Sequence, residues 1–484
     1  MSDTEALVIP FVRDTMLPPA PPPGRQGGVV AWLRQNLLSG PVNIALTVLG
    51  ALALWWIVTA IWPWLSHGVW NASSLAECRS TVAATWGEGA TGACWAVIRD
   101  RWKLFVFGFY PSDLYWRPVL AFGLLFVALA PVLFAEGRAS RLAVVGIPAL
   151  VTVWLMDRLG APTGWLAAAA VLFMAGWVLA DRRPGLLALA ALLYPFAGCW
   201  LLWGGSFWTV LMVLAALPLA LIAYRVIERA VPLLALVAAV AVAILWWGWV
   251  GPAVRDALNG ALPLAIRPVA SDNFGGFLLA ITIGVAGIAL SLPLGIILAL
   301  GRRSALPVVK LFSVIFIEFI RGVPLITLLF VASLLLNYFL PPGTNFDIIL
   351  RVIIMVTLFS AAYMAEVIRG GLAALPKGQY EAADSLGLDY WKAQRLIVLP
   401  QALKISIPGI VSTFIGMFKD TTLVTFVGLY DPLKASADAV RASTQWKGTY
   451  WEPYIFAGAV FFIICFAMSR YSMHLEQRLK RDHR

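Results

Sequence analysis

The sequence predicts an all-α polytopic membrane protein with about twelve transmembrane helices. Of its 484 residues, 61% are hydrophobic and only 13% are charged, whereas a soluble domain carries roughly 25% charged residues. Apolar stretches of about 18 residues or more recur along the whole chain, and a helix of that length spans a bilayer. The stretches are continuous and do not alternate with a period of two, which excludes a membrane β-barrel.

Twelve apolar stretches define the predicted spans. They lie at 43–65, 118–135, 141–156, 163–180, 185–203, 206–223, 230–250, 274–300, 323–340, 347–370, 405–428 and 454–473. A segment with several Pro and Gly residues follows the seventh stretch, and the unusual polar residues occur almost entirely after it. We therefore expect an N-terminal helical extension and a C-terminal domain of five helices.

The distribution of basic residues orients these helices. With the N-terminus inside, the seven segments on that side hold 22 Lys and Arg, whereas the four segments on the other side hold 11. Because Lys and Arg concentrate in cytoplasmic loops, both termini are predicted to be cytoplasmic. The predicted parts are an N-terminal tail, the extension with an outer loop, a periplasmic linker, the five-helix domain and a C-terminal tail: 1–42, 43–250 (loop 66–117), 251–273, 274–475 and 476–484.

The sequence lacks the motifs of several common enzyme classes. No Lys is followed by Ser or Thr, so the nucleotide-binding P-loop, whose hydroxyl holds Mg²⁺, is absent. Only three His occur, none of them in the HExxH spacing of a zinc enzyme. The net charge of +11 is explained by basic cytoplasmic loops without invoking nucleic acid. We therefore predict a protein that is not an enzyme and holds no metal.

Two cysteines, Cys78 and Cys94, lie in the predicted outer loop at 66–117. An oxidising periplasm permits a disulfide there, and the enclosed segment is short enough to close. Two free thiols in a mobile loop are the alternative that the sequence leaves open.

A long predicted cytoplasmic loop at 376–403 has the pattern of a helix–turn–helix. Good helix formers at 379–386 are followed by Gly387, a residue suited to the left-handed position just after a helix. Asp389 is placed to cap a second helix over 390–398, which Pro400 is expected to stop. An amphipathic segment lying on the lipid surface is the alternative interpretation.

One set of residues in this loop resembles the EAA loop of ABC-importer permeases: Glu381, Ala382, Ala383, Gly387, Leu399 and Pro400. The flanking segments resemble the permeases of polar-amino-acid importers (HisM/HisQ-like): FIRGVPL at 319–325, AYMAEVIRGG at 362–371, PKGQ at 376–379 and KDTTL at 419–423. This similarity covers residues of about 270–475. With its long N-terminal part, the chain looks like the large permease subunit of general L-amino-acid importers (the Aap/Bzt type).

The resemblance implies a MetI-like type I importer permease that moves L-amino acids, polar or of broad specificity, across the bacterial inner membrane. It also implies two cytoplasmic ATPase subunits that use ATP and Mg²⁺, a periplasmic amino-acid-binding protein, and a second, smaller permease in a heterodimer. No cofactor is expected in this chain, and no nucleic-acid partner. The 379–398 helices would act as a rigid lever between the ATPase and the five-helix domain.

Polar and charged residues within the last spans are candidates for the substrate path, because such residues are costly in a membrane. An amino acid needs an acidic partner for its ammonium group and donors for its carboxylate. Five residues offer these groups: Arg321, Glu366, Asp420, Thr421 and Thr422. The alternative is structural, since Glu366 with Arg369, and Glu318 with Arg321, are spaced i, i+3 and can pair on one helix.

A twelve-helix secondary transporter driven by an ion gradient is the alternative class of function, because the number of helices alone favours it. Such folds usually show related halves with broken helices at the midplane. Here the two parts differ in loop length and polar content, and that mechanism gives the 376–403 loop no role. The sequence therefore favours the ATP-driven importer.

Overall fold

The computed structural model describes residues 28–134, 137–335, 338 and 346–481, and nearly all regular structure within them is helical. The described sheet is a single antiparallel pair, Gly205–Ser206 (β1) with Ala265–Ile266 (β2). Long apolar runs form helices because lipid offers no hydrogen-bond partner, so the backbone N–H and C=O groups of each segment must bond to one another. The all-α membrane fold predicted from the sequence is confirmed.

By its internal contacts the chain forms two units, of which the first comprises residues 1–72 and 76–95. Its described part holds α1 (Val29–Asn36), α2 (Pro41–Ser66) and most of α3 (Leu75–Trp86). No residue of α2 is buried, as expected for an apolar helix surrounded by lipid. The disulfide Cys78–Cys94 closes the segment after α2, with the two Cα atoms 5.9 Å apart.

The second unit comprises residues 73–75 and 96–484 and contains the other helices. Those of the extension are α4 (Ala96–Phe107), α5 (Trp116–Leu133), α6 (Arg138–Arg158), α7 (Thr163–Arg182), α8 (Pro184–Trp203), α9 (Phe207–Glu228), α10 (Pro232–Leu245) and α11 (Gly251–Ala261). Those of the C-terminal domain are α12 (Gly276–Arg302), α13 (Pro307–Gly322), α14 (Leu325–Phe330), α15 (Ile348–Ala374), α16 (Gly378–Ser385), α17 (Tyr390–Ala393), α18 (Leu399–Asp420), α19 (Pro432–Arg441) and α20 (Trp451–Arg481).

The described residues contain eleven helices long and apolar enough to cross a membrane, or twelve when one bent pair is counted as a span. That pair joins Pro307–Gly322 to Leu325–Leu335 at an angle of 103°. The ninth span, predicted at 323–340, therefore has a helical first half that the sequence pattern missed because three charged residues, Lys310, Glu318 and Arg321, interrupt it. Pro324 breaks the span, since it lacks a backbone N–H. Residues 336–337 and 339–340 of the predicted span lie outside the described ranges.

The segment predicted to be a linker, 251–273, is helical as far as Ala261. A π-turn at Trp246–Val250 leads from α10 into α11, and Leu234–Ala261 forms one candidate span. Pro252 suggests a break, but the π-turn directly before it widens the helix and relieves the clash between a proline ring and the carbonyl four residues earlier. The seventh span is therefore longer than the predicted 230–250.

The extension from α4 onward shares a hydrophobic core with the C-terminal helices. Phe274 stacks on Trp203 with ring centroids 4.5 Å apart and meets Tyr110 edge-on at 5.5 Å. The Tyr110 hydroxyl donates to the Leu202 carbonyl at 2.8 Å. Although the sequence places a boundary at 251–273, this aromatic packing joins the parts on either side into one compact unit.

Contacts between loops agree with the sides assigned from the basic residues. On the predicted cytoplasmic side, Arg138 pairs with Asp181 at 2.6 Å. On the predicted outer side, the Trp446 indole donates to Asp100 at 2.7 Å. Segments predicted to share a side therefore meet in the structure.

Candidate functional site: the EAA hairpin and the charge cluster

Residues 378–398 form a short helical hairpin, here named the EAA hairpin. Its first helix, α16, is followed by Gly387 with a φ of +67°, a left-handed conformation that favours glycine. The Gly387 N–H donates to the Asp384 carbonyl at 2.9 Å, and the Leu388 N–H donates to the Ala383 carbonyl at 3.2 Å. These two bonds make a Schellman motif. The helix end predicted at Gly387 is confirmed.

The second helix of the hairpin begins at Asp389, as predicted. The Asp389 carboxylate accepts a hydrogen bond from the backbone N–H of Lys392 at 2.9 Å. This bond satisfies a free N–H of the first turn and holds the pKa of Asp389 below its usual range. The turn between the two helices is therefore fixed at both ends, by Gly387 and by Asp389.

Pro400 does not stop the second helix, contrary to the prediction. A π-turn at Gln394–Val398 follows α17, and the Leu399 N–H donates to the Gln394 carbonyl. The wider turn relieves the clash between a proline ring and the carbonyl four residues earlier. The chain therefore stays helical from Tyr390 to Asp420, so the hairpin continues directly into α18.

The predicted EAA residues differ in exposure. Glu381, Ala382 and Pro400 are exposed, and Leu399 is half-buried. Ala383 is completely buried within this chain. Its small side chain is therefore required by packing inside the protein.

Large apolar side chains stand out from the EAA hairpin. Leu386 is 73% exposed, Trp391 is 70% exposed and Leu396 is 63% exposed. These residues lie in and around the turn, outside the predicted apolar stretches. A group of exposed apolar side chains rimmed by charged residues is typical of a protein-binding surface.

The first helix of the hairpin is tied to the C-terminal end of α12. The Arg303 guanidinium donates to the Tyr380 hydroxyl and to the Leu372 carbonyl, both at 3.1 Å, and lies over the Tyr380 ring. Gln379 and Gln401 also hydrogen-bond at 2.8 Å between the hairpin and α18. These contacts tie the hairpin to α12 and α18.

A cluster of five charged residues joins α12, α13 and α15, and is here named the charge cluster: Arg302, Glu318, Arg321, Glu366 and Arg369. Glu366 is its centre, with a side chain only 16% exposed. Its carboxylate oxygens lie 2.7 Å from Arg302, 2.9 Å from Arg369 and 3.9 Å from Arg321. Arg302 also pairs with Glu318 at 2.8 Å. The cluster therefore carries one more positive than negative charge.

The expected pairing on single helices is present only in part. Glu366 and Arg369 pair along α15, as the structural alternative predicts. Glu318 is paired with Arg302 of another helix, while Arg321 lies over the Tyr363 ring, 5.5 Å from its centroid. Cross-helix contacts thus dominate the charge cluster.

The five predicted substrate-path residues form two separate groups. Arg321 and Glu366 meet in the charge cluster. Ser406 on α18 bonds to Val367 at the level of Glu366, and Asp420 lies fourteen residues farther along the same helix. At 1.5 Å per residue this separation is about 21 Å. The hydroxyls of the two threonines bond to carbonyls of the preceding turn.

The sequence analysis did not predict the contacts made by three residues: Arg302, Arg303 and Tyr380. The two arginines follow the eighth predicted span, where basic residues are expected in a cytoplasmic loop, so nothing in the sequence indicated their other contacts. Tyr380 directly precedes Glu381, the first residue of the EAA motif. Only the packing of α12 beside α15 and α16 gives these side chains their partners.

Comparisons with known proteins identify a matching family and relatives of similar length. Residues 291–481 match the family described as binding-protein-dependent transport system inner membrane component. The whole chain is 57% identical to the glutamate/glutamine/aspartate/asparagine transport system permease protein BztC of Rhodobacter capsulatus, covering all of that protein. It is 35% identical to the inner membrane amino-acid ABC transporter permease protein YhdY of Escherichia coli K12, over 95% of this chain and 96% of that protein.

A solved structure, described as an amino acid ABC transporter with histidines, is 31% identical to this chain. It covers 42% of this chain and 91% of the solved chain, with a TM-score of 0.37. The full-length relatives extend the resemblance seen in the EAA motif to the N-terminal extension. The chain belongs to the permease subunits of amino-acid ABC importers, and within them to the Aap/Bzt type.

Proposed function

We propose that this chain is the larger permease of a heterodimeric importer for acidic and amide L-amino acids, driven by two ATPase subunits that bind the EAA hairpin. The observation that carries the proposal is the exposed apolar surface at Leu386, Trp391 and Leu396. The helix runs on from this surface to Asp420. A partner that pulls on the hairpin therefore moves a membrane helix directly.

The substrate class is supported by a relative and by the charge cluster. The 57% identical BztC is named for glutamate, glutamine, aspartate and asparagine. The excess positive charge around Glu366 favours the passage of an anionic amino acid over a cationic one. Substrate reaches the permease from a periplasmic binding protein, and ATP is hydrolysed in the partner subunits.

The proposal places the protein in the bacterial inner membrane with both termini and the EAA hairpin in the cytoplasm. Single cysteines in place of Arg99 and Gly387 test this orientation, with an impermeant thiol reagent applied to intact spheroplasts. We expect labelling at position 99 and none at position 387. Labelling at 387 alone would reverse the topology.

Uptake into proteoliposomes tests the function. The complex is reconstituted with its ATPase and binding protein, ATP is enclosed with the ATPase subunits, and ionophores collapse the ion gradients. We expect uptake of labelled glutamate and glutamine to continue, and excess unlabelled arginine to compete poorly. Uptake that stops with the ionophores and ignores ATP would instead indicate a secondary transporter.

A further inference from the structure

The first helix of the extension in the second unit, α4, lies directly on the C-terminal domain. The Trp446 indole donates to the Asp100 carboxylate at 2.7 Å, and Arg101 reaches the Ser443 hydroxyl at 3.5 Å. Phe105 is buried in a cluster that includes residues of α19. Helix α4 of the extension is thus fixed beside the segment that joins α18 to α20.

The end of α4 also meets the start of α12 at backbone distance. Gly276 has a φ of +57°, and a Cβ built there would lie 2.1 Å from the Phe105 carbonyl oxygen. A Cβ built at Gly108, just after α4, would likewise overlap the backbone of Gly275. No side chain fits between the two segments, so the backbones of α4 and the start of α12 lie in direct contact.

The outward-facing side of this joint is strongly basic. The two segments 96–107 and 432–449 together hold six Lys and Arg and two Asp, with no Glu. The exposed basic side chains are Arg99, Lys103, Arg441 and Lys447. Such a concentration is unusual outside the cytoplasm, because Lys and Arg are generally depleted from outer loops. The exposed face of these two segments, 96–107 and 432–449, is here named the basic outer surface.

We propose that the basic outer surface binds an acidic patch on the amino-acid-loaded binding protein, so that α4 of the extension is part of the delivery site. The inference rests on the proposed function, which supplies the binding protein. Opposite charge steers such a partner to the surface and sets its orientation. Because α4 packs directly on α12 and α19, the binding protein would then also contact the C-terminal domain through it.

The ATPase rate of the complex in zwitterionic nanodiscs, titrated with purified glutamate-loaded binding protein, tests the proposal. The variant is the double charge reversal Lys103→Glu/Lys447→Glu. The control is Arg158→Glu/Arg255→Glu, which changes the net charge equally on outer segments whose helices pack against α5 and α9. We expect the half-saturating concentration to rise about tenfold for the variant, with the maximal rate kept, and to stay within about twofold for the control.

Salt separates binding by charge from a structural effect. The Debye length falls from about 10 Å at 0.1 M salt to about 3 Å at 1 M, so the difference between variant and wild type should shrink at high salt. An unchanged half-saturating concentration, or a lower maximal rate alone, would overturn the proposal. A shift that occurs only in anionic nanodiscs would assign the surface to lipid headgroups and overturn it as well.

A photo-crosslinking amino acid at position 103 gives a readout that does not depend on transport. We expect it to capture the purified binding protein, while the same group at position 255 does not. Absence of the crosslink at 103 contradicts the docking surface even if uptake is normal. Failure of the proposed function is distinguishable, because then no amino acid is taken up by the wild-type complex.

Discussion

Substitutions at Gly387 separate the backbone geometry of the EAA hairpin from the space that a docked ATPase needs. The left-handed φ of +67° costs a residue with a Cβ about 1–2 kcal/mol. Within this chain a Cβ at Gly387 meets nothing within 4 Å, so no steric term adds to that cost. In Gly387→Ala the population of the native turn, relative to its other conformations, is therefore expected to fall roughly five- to thirtyfold.

Asn and Asp tolerate the left-handed region better than Ala, so their backbone cost is smaller. Any additional loss in Gly387→Asp must come from the partner that covers the turn. We expect Gly387→Asp to insert normally but to lose ATPase co-purification and uptake, with Gly387→Asn between Asp and wild type. Gly387→Ala should lose uptake through the backbone alone.

Gly378→Ala is the matched control on the same hairpin. Gly378 also has open space around its Cβ position, but its φ is not left-handed. We expect its uptake and ATPase co-purification to stay close to wild type. The assays are co-purification of the ATPase with tagged permease and uptake of labelled glutamate in cells. If Gly387→Ala and Gly387→Asp both matched Gly378→Ala, the coupling role of this turn would be refuted.

Three further predictions concern the outer loop, the helix joint and the charge cluster. Alkylation and mass spectrometry should find Cys78 and Cys94 protected until the protein is reduced, and two alkylated thiols without reductant would disprove the bond. Replacing both cysteines with Ser should destabilise their segment by about 3 kcal/mol, because the bond closes a loop of 16 residues. Gly276→Ala should cost about 3 kcal/mol, as strain adds to the overlap with a carbonyl oxygen, and an unchanged thermal midpoint of the purified complex would contradict this. Glu366→Gln should cost about 3 kcal/mol, since it removes the carboxylate that pairs with Arg321 and Arg369 and one of the two that pair with Arg302. Glu318→Gln, at a side chain 54% exposed, should cost under about 1 kcal/mol. Equal thermal midpoints of the two variants would refute the central role of Glu366.

Asp420 stays a candidate for the substrate path, although it is about 21 Å along α18 from the level of the charge cluster. If both sites contact the amino acid, they do so at different stages of its passage. Asp420→Asn should then change the substrate profile of uptake. An unchanged profile would remove Asp420 from the path.

The sequence alone determined the features that depend on local chemistry. Continuous apolar runs predict membrane helices because lipid leaves the backbone no other partners. The turn at Gly387 and the cap at Asp389 were predictable, because each depends on one residue type at one helix end. The EAA motif and its flanking segments identified the importer family for the same reason, since the motif is contained in one short loop.

Tertiary structure decided everything that depends on which helices become neighbours. Helix α13 was not predicted, because Glu318 and Arg321 interrupt the apolar pattern, and only packing against α12 and α15 gives these charges partners. The helical passage through Pro400 depends on a π-turn that no propensity indicates. The joint between Asp100 and Trp446 links residues far apart in sequence. Local patterns carry no information about such partners, and therefore the packing of α4 on the C-terminal domain could be seen only in the folded chain.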